Sequence, residues 1–119
     1  MKTIIAGSRT IKDYSIVKTA VRNAIHEGFE FPTCIVSGGA NGVDKLGEKF
    51  ADQFEISKEI YQAEWDKYGR SAGYIRNEKM AKNAEALIAI WDGRSRGTRH
   101  MIDLAKKYNL RIYVHKIED

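Results

Sequence analysis

The sequence predicts an α/β fold: a three-layer α/β/α sandwich around a mostly parallel five-stranded sheet. Two observations carry this. Short β-rich apolar runs at about residues 2–6, 33–37, 57–63, 86–91 and 111–115 alternate with segments of helical period. Runs such as Ala86-Leu87-Ile88-Ala89-Ile90-Trp91 are apolar on both faces, as expected for parallel strands covered by helices on each side. With 119 residues, 43% hydrophobic and 30% charged, the chain has the size and composition of one domain, taken as residues 1–119. No period of 20–50 residues recurs, and the single proline, Pro32, offers no linker.

The first strand ends at Gly7. The first helix follows from the stripe Ile16, Val17, Ala20, Val21, Ala24 and Ile25, with Asp13 as N-cap and Gly28 just past its end. A second stripe, Val43, Leu46, Phe50, Ala51 and Phe54, begins after Asn41 as N-cap, which places Asp44 at N3. There a carboxylate caps the helix start, a reading preferred to contact with a ribose hydroxyl. The third helix, near residues 72–84, is irregular, because its inner face carries Arg76 and Asn77 beside Met80, Ala81 and Ala84. The last stripe, Met101, Ile102, Ala105 and Tyr108, starts after Thr98 as N-cap.

Composition excludes several classes of function. One cysteine, Cys34, makes neither an internal disulfide nor a thiolate zinc site; it is expected to pack in the apolar run of the second strand, in a protein of a reducing compartment. The opening Met1-Lys2-Thr3-Ile4-Ile5-Ala6 is too short for a signal or a membrane span, so a cytoplasmic protein without membrane association is expected. His26, His100 and His115 are dispersed without ligand spacing, so neither a metal nor a resident cofactor is expected. Ser37 lacks a GxSxG context, and no Ser-His-Asp or Cys-His constellation can be argued. Twenty Lys and Arg against sixteen Asp and Glu give a formal +4, which tolerates anionic partners without demanding nucleic acid.

Right-handed crossovers place every strand-following loop along one sheet edge, where open α/β sheets bind ligands. Gly7-Ser8-Arg9-Thr10 follows the first strand, and Ser37-Gly38-Gly39-Ala40-Asn41-Gly42-Val43-Asp44 runs from the second strand into a helix. Such a loop is either an anion cradle of backbone N–H groups or a tight turn that needs glycine for sterics alone. After the fourth strand, Asp92-Gly93-Arg94-Ser95-Arg96-Gly97-Thr98 opens another helix, so a phosphate-bearing ligand can be held from two sides. Neither loop reads GxGxxG and there is no Walker lysine, which disfavours NAD-dependent hydride transfer and ATPase activity.

Six of eight arginines, Arg9, Arg70, Arg76, Arg94, Arg96 and Arg99, fall on or beside these loops. Guanidinium groups bind phosphate bidentately, although Asp13, Asp44, Glu64, Asp66 and Asp92 on the same edge can pair some of them. Arg76 stands out, a cation in the first turns of a helix, where the dipole disfavours it. Either an anionic ligand or a carboxylate such as Asp44 or Asp92 must meet it. Asn77 can position a ligand hydroxyl or satisfy a backbone group. Trp65, Tyr68 and Tyr74 flank Gly69-Arg70-Ser71-Ala72-Gly73 and offer surfaces on which a base can stack.

These motifs resemble those of the SLOG superfamily, the Rossmann-like group that includes the LOG phosphoribohydrolases and the DprA proteins, and most of all its small YspA/YpsA-like branch. The resemblance rests on Gly7-Ser8-Arg9, on residues 37–44, on Trp65 with Gly69, on Ala72-Gly73-Tyr74-Ile75-Arg76-Asn77-Glu78-Lys79-Met80, and on residues 91–98 with Met101-Ile102. It implies a Rossmann-like sandwich whose two glycine loops bind a nucleotide-derived ligand, AMP-like or ADP-ribose-like, in a sensor or sequestering protein of phage–bacterium conflict. Ligand contact is assigned on this basis to Gly7, Ser8, Arg9, Ser37, Gly38, Gly39, Ala40, Asn41, Gly42, Asp44, Trp65, Arg76, Asn77, Asp92, Gly93, Ser95, Gly97 and Thr98.

LOG enzymes cleave the N-glycosidic bond of nucleoside monophosphates with an arginine that matches Arg76, so Arg76 is the catalytic candidate if the protein is an enzyme. They also use a glutamate three residues after the Gly-Thr of the second loop. Here that position is Met101, which cannot ionise, and LOG-type hydrolysis is therefore disfavoured against binding alone. Two alternatives remain: a nucleotide N-glycosidase in which Glu64, Asp66 or Asp92 substitutes for the missing glutamate, and DprA-like binding of single-stranded nucleic acid, which the +4 charge favours only weakly. The resemblance also implies a homodimer.

Overall fold

Side chains along a strand point alternately to the two faces of its sheet, and a sequence apolar at every position can bury both. That is what β1 (Lys2–Gly7) and β4 (Ala86–Trp91) do. Ile5, Ala86, Ile88 and Ile90 face one helical layer, whereas Ile4, Ala6, Leu87 and Ala89 face the other. The structure, a computed structural model, describes residues 1–117. β2 (Cys34–Ser37) and β3 (Ser57–Ile60) extend the sheet on one side of β1, and β4 and β5 (Arg111–Lys116) on the other. All neighbours pair parallel in the order β3-β2-β1-β4-β5, with Ile4 opposite both Val36 and Leu87.

The first layer is α1 (Tyr14–His26) and α2 (Val43–Gln53), which bury Val17, Ala20, Val21, Ala24, Val43, Phe50 and Ala51. The second comprises α4 (Ala72–Lys82) and α5 (Arg96–Lys107), with Met80, Ala81, Met101, Ile102, Leu104 and Ala105 inward. A one-turn helix α3 (Trp65–Tyr68) and a 3-10 turn, Gly69–Ser71, link β3 to α4. Burial of each large side chain such as Leu87 contributes roughly 1.5–3 kcal/mol, so the sheet is the rigid frame on which the loops stand. Cys34 lies buried in β2.

Helix ends differ from expectation in two places. Asp13 caps α1 as predicted, accepting the Ser15 N–H (3.0 Å). The N-cap of α2, however, is Gly42 and not Asn41, so Asp44 falls at N2. Gly42 sits at φ +79°, and a Cβ there would lie 2.4 Å from the Ser8 carbonyl oxygen; this turn requires glycine. The N-cap of α5 is Ser95 and not Thr98: Asp92 Oδ1 accepts the N–H of both Arg94 and Ser95 (2.8 Å each), which turns the chain early and leaves Thr98 inside the first turn. β3 stops at Ile60, short of the predicted residue 63, because the chain then departs toward α3.

The chain leaves β1 toward one helical layer and β4 toward the other. A crevice opens where the two connections part, beyond the carboxyl ends of the two strands.

Candidate functional site

The crevice is a cleft of about 340 Å³. Gly7, Ser8, Arg9 and Thr10 line it from the β1–α1 connection, Ala40 and Asp44 from the glycine loop and α2, Arg76, Asn77 and Met80 from α4, and Ser95, Gly97, Thr98 and Met101 from the start of α5. Two smaller pockets adjoin it. One, of about 260 Å³, is bordered by Gly38, Gly39, Asn41, Gln62 and Trp65; the other, of about 210 Å³, by Trp65, Arg70, Gly73 and Tyr74. Arg9 and Arg76 border all three, so two cationic residues stand where the three spaces adjoin. An apolar groove of about 420 Å³ near Phe31, Phe50 and Phe54 shares no residue with these spaces and lacks their glycine loops.

Internal hydrogen bonds hold the glycine loop. Ser37 Oγ donates to Glu48 Oε2 (2.8 Å) and accepts the Gly39 N–H (3.1 Å); Asp44 Oδ2 accepts the Ala40 N–H (3.3 Å). The Val43 N–H donates to the Ser8 carbonyl (3.2 Å) and ties this loop to the first. Two amides of the expected anion cradle, Gly39 and Ala40, are thus satisfied within the protein. At α5, Ser95 Oγ meets the Thr98 N–H (3.4 Å), and Trp91 Nε1 donates to the Ser95 carbonyl (3.1 Å). The N–H groups of Arg96 and Gly97, in the first turn of the helix, have no acceptor among the described residues.

Arg76 crosses the cleft from α4. Its Nη1 donates to the Gly38 carbonyl and its Nε to Asn77 Oδ1 (2.9 Å), which orients the Asn77 amide so that Nδ2 donates to His100 Nδ1 (3.2 Å). His100 therefore carries its proton on Nε2. Burial lowers its pKa, against the pull of Asp103 and Glu78, and the Tyr74 ring meets it edge-on at 4.5 Å.

Of the two carboxylates suggested for Arg76, Asp44 is the one that faces it; Asp92 is engaged in its own turn. Burial lowers the Arg76 pKa, opposed by Asp44 and reinforced by Arg9. The Asp44 carboxyl is pushed up to about 6, chiefly by burial and further by Glu48, against the Ala40 N–H, Arg76 and Arg9.

The sequence-assigned residues divide into two groups. Gly7, Ser8, Arg9, Gly38, Gly39, Ala40, Asn41, Asp44, Trp65, Arg76, Asn77, Ser95, Gly97 and Thr98 border the connected pockets. Gly42 borders a shallower neighbouring space beside Lys12 and Lys45. Ser37, Asp92 and Gly93 line none of these pockets: Ser37 and Asp92 brace loops, and Gly93 provides a positive-φ turn. Trp65 and Tyr74 border the space and are half exposed, whereas Tyr68 does not border it. Glu64 and Asp66 do not reach it either, so the carboxylate among the lining residues is Asp44. Met101 is 1% exposed; it forms the cleft floor and packs in the core with Met80 and Ala105.

Sequence reasoning missed Gln62, His100 and Glu48. A carboxylate interrupting the apolar face of α2 was the available signal for Glu48. Nothing local marked His100, which meets Asn77 from 23 residues away.

Fold and cleft define a Rossmann-like α/β protein with a cationic crevice at the switch point of its sheet. Residues 1–68 match the YAcAr family, described as the YspA, cpYpsA-related SLOG family. The chain is 33% identical over 112 residues to the "Gene 61 protein" of Mycobacterium phage D29, covering 89% of each sequence. It belongs to this YspA-like SLOG family. No solved structure matches it. No helix of the described residues is long and apolar enough to cross a membrane.

Proposed function

We propose that the cleft binds a nucleotide-derived ligand, AMP-like or ADP-ribose-like, and that the protein senses or sequesters this molecule. The observation that carries the reading is the convergence of Arg9 and Arg76 on adjoining pockets that are also bordered by Gly97, whose N–H has no acceptor among the described residues, and by the exposed Trp65. Guanidinium groups and a helix start suit phosphate, and an exposed indole suits a base. Of the two loops, the start of α5 is the better phosphate seat, because in the glycine loop Gly39 and Ala40 have given their N–H groups away and the Asp44 carboxylate stands over Gly38, where it would face the anion. The phage origin of a relative supports a role in phage–bacterium conflict.

One observation favours a second reading, a nucleotide N-glycosidase: Asp44 brings a carboxylate to the cleft where Met101 replaces the LOG glutamate. Mass spectrometry of small molecules co-purifying with the protein tests the binding reading, and chromatography of free adenine after incubation with AMP separates the two. A bound nucleotide with no adenine released supports the first; adenine released well above a heat-treated control supports the second.

A further inference from the structure

Asp44 is an anion in a cleft otherwise furnished with cations and amide donors. It is 7% exposed, and only its Oδ2 is engaged, by the Ala40 N–H. Oδ1 accepts no hydrogen bond among the described residues. No described side-chain polar atom is both enclosed and unpartnered, so Oδ1 keeps an opening, and the space that Asp44 lines is the 340 Å³ cleft.

Helix capping does not account for this placement. An asparagine at N2 would stabilise the helix start without burying a charge, whereas the carboxyl, displaced upward to about 6 by burial, works against folding at neutral pH. Residues held against their own stability mark function. A phosphate is the wrong neighbour for Asp44, since the adjacent Gly39 and Ala40 amides are taken and two anions would face each other. A hydroxyl is the right one: it offers a proton to Oδ1 and brings no charge.

We propose that Asp44 is a specificity-determining residue whose Oδ1 accepts a hydrogen bond from a ribose hydroxyl of the ligand, with the phosphate directed to the start of α5. The proposal rests on the nucleotide reading of the cleft. It makes the site selective for ribose over deoxyribose, because a site built to pair a hydroxyl leaves a buried polar group unpaired when the hydroxyl is missing.

The test is calorimetric titration at pH 7.5 of wild type and Asp44→Ala with AMP, ADP-ribose and their 2′-deoxy and 3′-deoxy counterparts. The expected result is that wild type binds at least one deoxy compound tenfold or more weakly than its parent, and that Asp44→Ala reduces this ratio below threefold. Equal affinity of wild type for parent and deoxy compounds, or an unchanged ratio in Asp44→Ala, overturns the proposal while leaving the nucleotide reading intact. If neither AMP nor ADP-ribose binds wild type, the nucleotide reading fails and this proposal with it. Should Asp44→Ala not fold, Asp44→Asn takes its place: its neutral oxygen is a weaker acceptor than a carboxylate, so the ratio is expected to fall, and a ratio equal to that of wild type overturns the proposal.

Discussion

The Arg76 guanidinium and the Asp44 carboxylate converge on Gly38: a Cβ on that residue would lie 2.7 Å from Arg76 Nη1 and 2.7 Å from Asp44 Oδ2. The glycine is needed here for room, since two opposite charges from different helices close over its backbone.

Gly38→Ala should therefore displace Arg76, Asp44 or both. Overpacking of this kind costs about 1–3 kcal/mol, and nucleotide affinity should fall by more than the melting temperature suggests. Melting curves with and without AMP check it; unchanged affinity would show that the pair tolerates displacement.

Arg76→Ala removes a charged donor from the cleft and should weaken binding by roughly 1.5–3 kcal/mol with little loss of stability. Titration and thermal melting of the same preparation separate the two effects. A variant that unfolds, with binding unchanged in its folded fraction, would make Arg76 a structural ion-pair partner of Asp44.

Asp44→Asn should stabilise the protein at neutral pH. A carboxyl whose folded-state pKa is raised from 3.8 to about 6 binds its proton more tightly when folded; its contribution is most favourable below about 4, declines between about 4 and 6, and is flat above. At two units or so of displacement the penalty relieved above pH 6 is at most roughly 3 kcal/mol. Denaturant titrations at pH 4 and pH 7.5 should show the gain at the higher pH only. A variant less stable than wild type at pH 7.5 would mean that the attraction of Arg76 and Arg9 for the carboxylate outweighs burial.

Met101→Glu should destabilise the fold by roughly 2–5 kcal/mol, since the side chain is enclosed between α5 and the sheet and the change combines lost packing with a buried charge. Chemical denaturation measures it. A well-folded variant that releases adenine from AMP would instead place a ligand sugar beside residue 101.

Much of this architecture is legible in the sequence, because burial on two faces demands runs such as residues 86–91 and because the stripe of α1 repeats cleanly. The loops were harder. Asn41 and Thr98 have side chains able to cap helices, yet the turn at Gly42 and the Asp92 turn before Ser95 decide where α2 and α5 begin. Moving the start of α2 by one residue takes Asp44 from N3 to N2, where it closes on Ala40 and opens to the cleft. Arg76 was legible because a cation near a helix start is out of place; His100 was not, because its meaning lies in a contact across two helices.

The central claim is that Arg76 and the start of α5 bind the phosphate of a nucleotide-derived ligand. A thermal-shift panel of AMP, ADP and ADP-ribose on wild type and Arg76→Ala tests it most directly, because a ligand that binds only the folded state stabilises it by RT ln(1 + [L]/Kd). The account predicts that at least one of these compounds raises the wild-type melting temperature at millimolar concentration and that Arg76→Ala loses most of the shift. No shift from any of them, or an equal shift in both proteins, would contradict it.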